Sequence, residues 1–372
     1  MDWRRTAAVL ATVSLVAIGL LGILTAPAGA LITITVANNA DLGAGSVRQA
    51  FVDASTTDNT DDVLIVVPAS VGNISLTSGQ LQYFGTHNLT VQGGGNTITQ
   101  TDGVDRVMAD TGAGSALSVS GLTLTGGQGA DEGEGVAVQG AGGSLTLTNM
   151  TVTNNHTTDD GGGVFSSGAV TVTNSTISAN SSNGGGGGIS TDGNVTVTNS
   201  TITGNTTTGG PGGGIRAGSV TLIYATVTGN NSSDSANVSA DGSLTAFGSV
   251  VADALGGGPN CVVGTTTSHG FNDEDDVAAS CGFATSTGDL APGTAPLLGS
   301  LANNGGPTQT ELPQTGSPLV DAIPTADCGA GVGITTDQRG VTRPQGPGCD
   351  VGAVEVQVVV PSAPTVTAAF TG

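Results

Sequence analysis

Aliphatic residues alternate with threonine and serine through the middle of the chain, and the alternating blocks recur at a fixed interval. Segments 170–177 and 195–202 both have the sequence VTVTNSTI, 25 residues apart. Alternation with period two predicts a strand with one buried face. Such strands, repeated at this interval and separated by Asn and Gly turns, are typical of a β-solenoid. We predict an all-β fold, a right-handed parallel β-helix of about eight coils over residues 64–255 with a repeat of about 25 residues.

Equivalent positions in successive coils predict ladders of like residues, because stacked strands lie about 4.8 Å apart. The match extends upstream with an interval of 28 residues. The expected aliphatic ladders comprise Leu117, Leu145, Val170, Val195, Val220 and Leu244 in one stripe and Val136, Val164, Ile189 and Ile215 in another. Asparagine recurs at one turn, where each side-chain amide is expected to bond to the next: Asn155, Asn180, Asn205 and Asn230.

Both ends of such a stack must be covered, since open strand edges promote aggregation. Ser46-Val-Arg-Gln49 predicts a capping box that opens a short helix. Its apolar face (Val47, Ala50, Phe51 and Ala54) would cover the first coil, within an N-terminal cap over residues 31–63. Residues 256–355 lose the repeat and are expected to close the other end, and 356–372 are typical of a tail or linker.

Composition and charge narrow the functional classes. The chain has 372 residues, of which 63 are glycine and 3% are aromatic, so a core must consist of thin aliphatic layers. The formal net charge is −22, and all seven basic residues are arginine. A surface so poor in base argues against binding to nucleic acid or to an anionic membrane.

The N-terminus resembles an export signal. Arg4 and Arg5 precede an uncharged, mostly apolar stretch, and Ala28-Gly-Ala30 is a small-x-small cleavage site. We predict a signal peptide over residues 1–30 and an extracellular or cell-surface location. The alternative is an uncleaved membrane anchor, since the uncharged stretch is long enough to span a bilayer.

Four cysteines follow the repeats: Cys261, Cys281, Cys328 and Cys349. An even number in an exported chain predicts structural disulfides. Three connectivities are possible, and two local loops, Cys261–Cys281 and Cys328–Cys349, are the simplest. A zinc site is the rival interpretation, but the chain has no Cys-x-x-Cys pair.

Residues suited to catalysis or metal binding are sparse, and we predict no catalytic, cofactor-binding or metal site. Asp159, Asp160 and His156 form a turn cluster from which Arg216, two coils away, is expected to stay apart. The acidic run 272–276 and the carboxylates Asp131, Glu132 and Glu134 are expected to lie in solvated loops rather than to bind calcium. The remaining candidates are expected to pair with one another: Asp337, Arg339 and Arg343.

The C-terminal motifs resemble those of the bacterial choice-of-anchor Q family. They are Asp337-Gln-Arg-Gly340-Val-Thr-Arg343-Pro344, Cys349-Asp-Val-Gly-Ala353-Val-Glu355, Gly305-Gly-Pro307-Thr-Gln-Thr310 and Gly316-Ser-Pro318-Leu-Val-Asp321. The resemblance extends over nearly the whole chain after the export signal. It implies an exported right-handed β-helix displayed at the cell surface, and it implies no reaction. Leu312-Pro-Gln-Thr-Gly316 spells a sortase signal but lacks the apolar and basic segments that should follow it.

These observations favour a non-catalytic protein of the cell surface or extracellular matrix, with an adhesive or carbohydrate-contacting role. Its expected partner is an extracellular polysaccharide or a cell-surface glycan, and no cofactor is expected. The alternative is a polysaccharide lyase or glycoside hydrolase acting in a groove along the β-helix, which would require carboxylates on adjacent coils. A stalk that carries another domain is a third possibility.

Overall fold

A computed structural model of the protein describes residues 13–15, 31–56, 61–284, 286–329 and 333–357. The chain winds into a parallel β-solenoid of eight coils between residues 63 and 255, in which each strand pairs with its equivalents in the neighbouring coils. Three ladders of strands form its faces, which we name faces A, B and C in the order in which the chain meets them. The predicted solenoid is thereby confirmed.

The strands of each face share one register. Face A contains β1 (Val13–Leu15), β2 (Ile32–Thr35), β3 (Val63–Val67), the first halves of β6 (Leu89–Gln100) and β8 (Ala116–Thr125), β11 (Ser144–Thr148), β15 (Val170–Thr173), β19 (Asn194–Thr198), β23 (Ser219–Ile223) and the second halves of β25 (Val238–Phe247) and β27 (Cys261–Ser268). Face B contains β4 (Ile74–Leu76), the second halves of β6 and β8, β12 (Thr151–Thr153), β16 (Thr176–Ser178), β20 (Thr201–Thr203), β24 (Thr226–Thr228), β26 (Val250–Ala252) and β28 (Asp273–Glu274). Face C contains β5 (Leu81–Tyr83), β7 (Met108–Asp110), β10 (Val136–Val138), β14 (Val164–Ser166), β18 (Ile189–Thr191), β22 (Ile215–Ala217) and the first halves of β25 and β27.

Short elements join these faces. The turns between faces B and C carry the two-residue strands β9 (Gln128–Gly129), β13 (His156–Thr157), β17 (Ser181–Ser182) and β21 (Thr206–Thr207). A single turn of 3-10 helix (Ala69–Val71) joins β3 to β4.

At the turn between faces A and B, Asn149, Asn174 and Asn199 have positive φ angles of 53°, 50° and 44°. Asparagine tolerates this backbone conformation better than most residues, which explains its recurrence at the corner.

The core consists of stacked aliphatic layers, as the period predicted. On face A, Leu145 pairs with Val170, and Val170 pairs with Val195. The second stripe stacks Val136 on Val164 and then on Ile189. All of these side chains are at most 1% exposed. Each coil therefore buries an apolar layer that it could not bury alone.

The asparagine ladder is also present. The side-chain Oδ1 of Asn205 accepts hydrogen bonds from the backbone N and from Nδ2 of Asn180, both at 3.0 Å. Asn205 in turn donates from N and Nδ2 to Oδ1 of Asn230, both at 2.9 Å. The ladder continues beyond the predicted residues through Asn237 and Asn260. It supplies partners for amides that would otherwise be buried without any.

At the N-terminal end, α1 (Val47–Thr56) occupies the stretch in which a short helix was predicted. Ser46 Oγ accepts a hydrogen bond of 3.1 Å from Gln49 N, as an N-cap residue does. The helix packs its apolar face against β2, β3 and β5. Apart from Val13–Leu15, which pairs with β2, the predicted export signal lies outside the described residues. No helix within the described ranges is long and apolar enough to cross a membrane.

At the other end, the sequence 261–283 closes the last coil. Glu274 lies in register with the inward-facing Val251, and its carboxylate accepts hydrogen bonds from the backbone N–H groups of Cys281 (2.7 Å) and Phe283 (3.0 Å). The disulfide Cys261–Cys281 joins the closing loop to β27. The second disulfide, Cys328–Cys349, lies further along the chain, so the two local loops are confirmed.

Residues 295–357, which we name the strap, do not close the end but lie along face B. β29 (Ile323–Pro324) and β30 (Gly348–Cys349) form a small antiparallel pair within it. Side chains of the strap bond to coils more than a hundred residues earlier in the chain, such as Gln338 to Thr176. The sequence predicted an end cap for this whole region. The difference arises because the strap's polar groups find partners on the threonine-rich side of the solenoid.

Candidate ligand-binding surface

The outward positions of face A form a regular array of hydroxyl side chains. Two outward residues per strand are expected, because successive side chains point to opposite sides. Ten of these positions, which we name the threonine face, are Ser118, Ser120, Thr146, Thr148, Thr171, Thr173, Thr196, Thr198, Thr221 and Thr245. Each is partly exposed, and they stack in two rows across six coils.

These ten hydroxyls make no hydrogen bond to any residue that the structure describes. The face carries no charged side chain. Asp192 is exposed in the bend before β19, and Asp241 is exposed within β25, where the register shifts between its two halves. The result is an uncharged surface whose donors and acceptors are directed to solvent.

Face B also carries outward threonines, but here the strap covers them and bonds to them. Thr201 Oγ1 donates to Gln338 Oε1 at 2.7 Å, and Thr226 Oγ1 accepts from Ala353 N at 3.0 Å. Thr203 and Thr228 both donate to the carboxylate of Glu311, whose pKa is raised by burial. The strap therefore uses an outward threonine ladder as its binding surface.

Where the strap reaches face A, the outward residues are apolar. Ile223 and Phe247 follow Thr198 in the same row and pack against a second apolar cluster that includes Leu319 and Ile323. Covered positions of this row thus carry apolar side chains, and the uncovered positions of the threonine face carry serine or threonine.

The turn cluster at Asp160 differs from the sequence prediction. Arg216 reaches back over two coils, and its Nη1 lies 2.9 Å from Asp160 Oδ2, so the expectation that the two would stay apart is wrong. The intervening Gly185 makes this possible, since a Cβ there would lie 2.4 Å from Arg216 Cδ. Asp160 Oδ1 accepts from Gly185 N. His156 instead contacts Ser181 Oγ at 2.8 Å. Asp160 therefore serves as a clamp between coils.

The carboxylates of the insertion at 131–134 are only partly solvated, contrary to prediction. Asp131 is exposed and pairs with the buried Arg106 at 2.9 Å. Glu134 is 1% exposed, and its Oε2 has no partner among the described residues. Burial raises the pKa of Glu134 to about 7, against the nearby Arg106 guanidinium, which lowers it. The insertion therefore has one exposed carboxylate, that of Asp131, and one buried carboxylate, that of Glu134.

The acidic run 272–276 is also not a solvated loop. Asn272, Asp273 and Glu274 are at most 1% exposed, because the run enters face B as β28. Both carboxylate oxygens of Asp273 lack a hydrogen-bond partner in the described structure. Burial, together with the carboxylates of Asp275 and Glu274, raises the pKa of Asp273 to about 7.

We expect Asp273→Asn to stabilise the protein at pH 8 by about 1–3 kcal/mol. An acid whose pKa is raised on folding favours the folded state below its unfolded pKa of 3.8, and this contribution is lost as the pH rises toward 7. The advantage of the variant should therefore shrink as the pH falls to 5. Urea unfolding at several pH values measures it, with the exposed Asp159→Asn as the control. An equal effect at pH 5 and pH 8 would contradict the prediction.

Of the three residues expected to pair with one another, Asp337 and Arg339 do so, whereas Arg343 pairs with Glu355. Arg339 contacts Asp337 at 2.8 Å, and Arg343 contacts Glu355 at 3.0 Å in a fully buried ion pair. Arg343 also lies 4.2 Å from the centre of the Tyr224 ring. The two ion pairs hold the strap together, and the contact between Arg343 and Tyr224 joins it to the solenoid.

Within the described ranges, no group of three or more His, Cys, Asp or Glu side chains could hold a metal ion. A depression of about 550 Å³ lies beside the predicted sortase-like motif, lined by Leu312–Ser317, Val320 and Val356. No ionisable side chain lines it. Gln314, Thr315 and Gly316 are exposed there, whereas Pro313 is buried.

The fold and the surface define a disulfide-bonded parallel β-solenoid with one open threonine face. Comparison of the chain with models of known families, with curated proteins and with solved structures found no match.

Proposed function

We propose that this chain is an exported, non-catalytic protein of the cell surface or extracellular matrix that contacts carbohydrate. The observation that supports it most strongly is the threonine face, a regular uncharged array of ten side chains whose hydroxyls have no partner in the described structure. Hydroxyl groups that can both donate and accept suit the hydroxyls of sugars. The resemblance to the choice-of-anchor Q family supports display at a surface, and two disulfides fit an oxidising compartment.

The partners of the carboxylates also support a non-catalytic role. Glycoside hydrolysis requires two carboxyl groups that flank one bond. Asp160 bonds to Arg216 and Gly185, Glu311 bonds to two threonines, and Glu274 bonds to the closing loop. Each of these groups has a structural partner that a substrate would have to displace.

The experiment that tests this function offers the purified protein a panel of neutral and uronic-acid polysaccharides. We expect retention on at least one glycan without release of reducing ends or unsaturated sugars. Retention is measured both with calcium and with a chelator, and equal retention in the two would show that no added ion is required. Retention on none of the glycans would contradict the proposal.

Product release is the outcome that the alternative, a lyase or hydrolase, predicts. The pair Asp160→Asn and Asp159→Asn then separates an enzyme from a contaminant. Loss of release in Asp160→Asn, with release retained in Asp159→Asn, would place catalysis at the Asp160–Arg216 clamp. The non-catalytic role would then be wrong.

A further inference from the structure

We propose that the threonine face binds a single neutral, β-linked glycan chain that lies across the coils, parallel to the solenoid axis. This inference rests on the proposed function and specifies its site and ligand class. It is carried by three observations: the spacing of the face, the way in which the strap binds the matching ladder on face B, and the distribution of charge.

The spacing matches an extended polymer. Adjacent coils repeat at about 4.8 Å, so six coils present equivalent hydroxyls over about 24 Å. The length of one residue in an extended β-1,4-linked hexose chain is close to that repeat. Each sugar would therefore meet the same pair of outward positions, such as Thr171 and Thr173 on one coil and Thr196 and Thr198 on the next. The β-branched side chains are restricted in χ1, so little rotamer entropy is lost on binding.

Face B shows that such a ladder bonds to the polar groups of a segment that covers it. Thr176 Oγ1 donates to Gln309 O at 2.5 Å, and the equivalent Thr201 donates to Gln338 at 2.7 Å. In the next coil Thr226 accepts from Ala353. One threonine in each coil thus bonds to carbonyl, amide or N–H groups of the strap. The threonine face has the same stacked geometry and has no covering segment among the described residues.

The charge distribution selects a neutral ligand. The face itself is uncharged, the acidic Asp192 and Asp241 stand beside it, and the whole chain carries a formal charge of −22. A uronic-acid or sulfated polymer would be repelled and would find no arginine on the face. A neutral glycan meets no such penalty.

The test measures binding of the full chain to cellulose, chitin and xylan, and to polygalacturonate and alginate as anionic probes. The decisive variant is Thr171→Val, Thr173→Val, Thr196→Val and Thr198→Val together, which removes four hydroxyls and keeps the β-branched shape. We expect its affinity for the bound neutral glycan to fall at least about tenfold. Circular dichroism melting verifies that the variant is folded.

The matched control makes the same change on face B, in coils that the strap leaves partly exposed: Thr97→Val, Thr99→Val, Thr123→Val and Thr125→Val. It should bind within about twofold of the unchanged chain, since these positions lie on another face. If the face A variant binds a neutral glycan as well as the unchanged chain does, the inference is wrong while the proposed function stands. Stronger binding to the anionic polymers would overturn the ligand class. If the unchanged chain binds no glycan, the proposed function and this inference are both wrong.

Discussion

Replacing Arg343 with alanine is expected to lower the free energy of unfolding by about 3–5 kcal/mol. The guanidinium is buried and donates to the carbonyl oxygens of Asp350 (2.9 Å) and Gly352 (2.7 Å) and to Glu355 Oε2. Its removal would leave the carboxylate of Glu355 buried without its cation, together with two carbonyl groups that lose their donor. Urea unfolding followed by circular dichroism measures the loss.

Arg216→Ala is the matched control. Its ion pair with Asp160 is 2.9 Å long, close to the 3.0 Å of the pair between Arg343 and Glu355, but its two side chains are 36% and 27% exposed. Solvent screens such a pair, so its loss should cost no more than about 1 kcal/mol. A second variant, Arg343→Met with Glu355→Met, should recover much of the stability because it leaves no unpaired charge. Equal losses for Arg343→Ala and Arg216→Ala would refute the importance of the buried pair.

The second large effect is expected for Asn205→Ala, which should cost about 3–5 kcal/mol, since each orphaned buried polar group costs about 1–3 kcal/mol. Asn205 is fully buried in the middle of the asparagine ladder. Alanine would leave the backbone N of Asn180 without its acceptor and would take the side-chain donor away from the carbonyl of Ile177. Oδ1 of Asn230 would keep only the hydrogen bond from the backbone N of residue 205. Thermal and urea unfolding both report the change.

Asn194→Ala provides the comparison for the ladder. Asn194 is exposed at the start of β19, so its replacement should change stability by less than about 0.5 kcal/mol. A loss below about 1 kcal/mol for Asn205→Ala would mean that water replaces the side chain in the ladder, and the prediction would fail.

The solenoid could be predicted because each coil repeats the same local physics. Val170, Val195 and Val220 each alternate with threonine, so one periodic pattern predicts strand, face and neighbour together. The sequence left three cysteine connectivities open, and the structure has the simplest of them, the two local loops. The alternation also implied that the threonines lie on the outside of the solenoid, although the sequence did not say which of them remain uncovered.

The strap could not be predicted, because its contacts join residues that share no pattern. Thr176 meets Gln309 and Ser175 meets Gln338 across 133 and 163 positions of the chain. The Asp160–Arg216 clamp was missed for another reason. The Arg216 side chain reaches Asp160 by passing over Gly185 in the intervening coil. The strand pattern gives the position of each residue in its coil, but it does not show that a side chain can span two coils. The burial of Asp273 was not predicted, because an acidic run is typical of a solvated loop. In the structure this run instead adds a strand, β28, to face B.

The strap also changes how the solenoid should come apart. A bare stack of repeats interacts only with its neighbours and frays from its ends, one coil after another. The strap bonds to Thr176, Thr201 and Thr226 at once and lies against Val250 in the following coil. Opening any one of these coils requires release of a segment that holds the others, so they form one cooperative unit. Amide hydrogens beneath the strap should exchange together and slowly, whereas coils before Met150 can open one at a time.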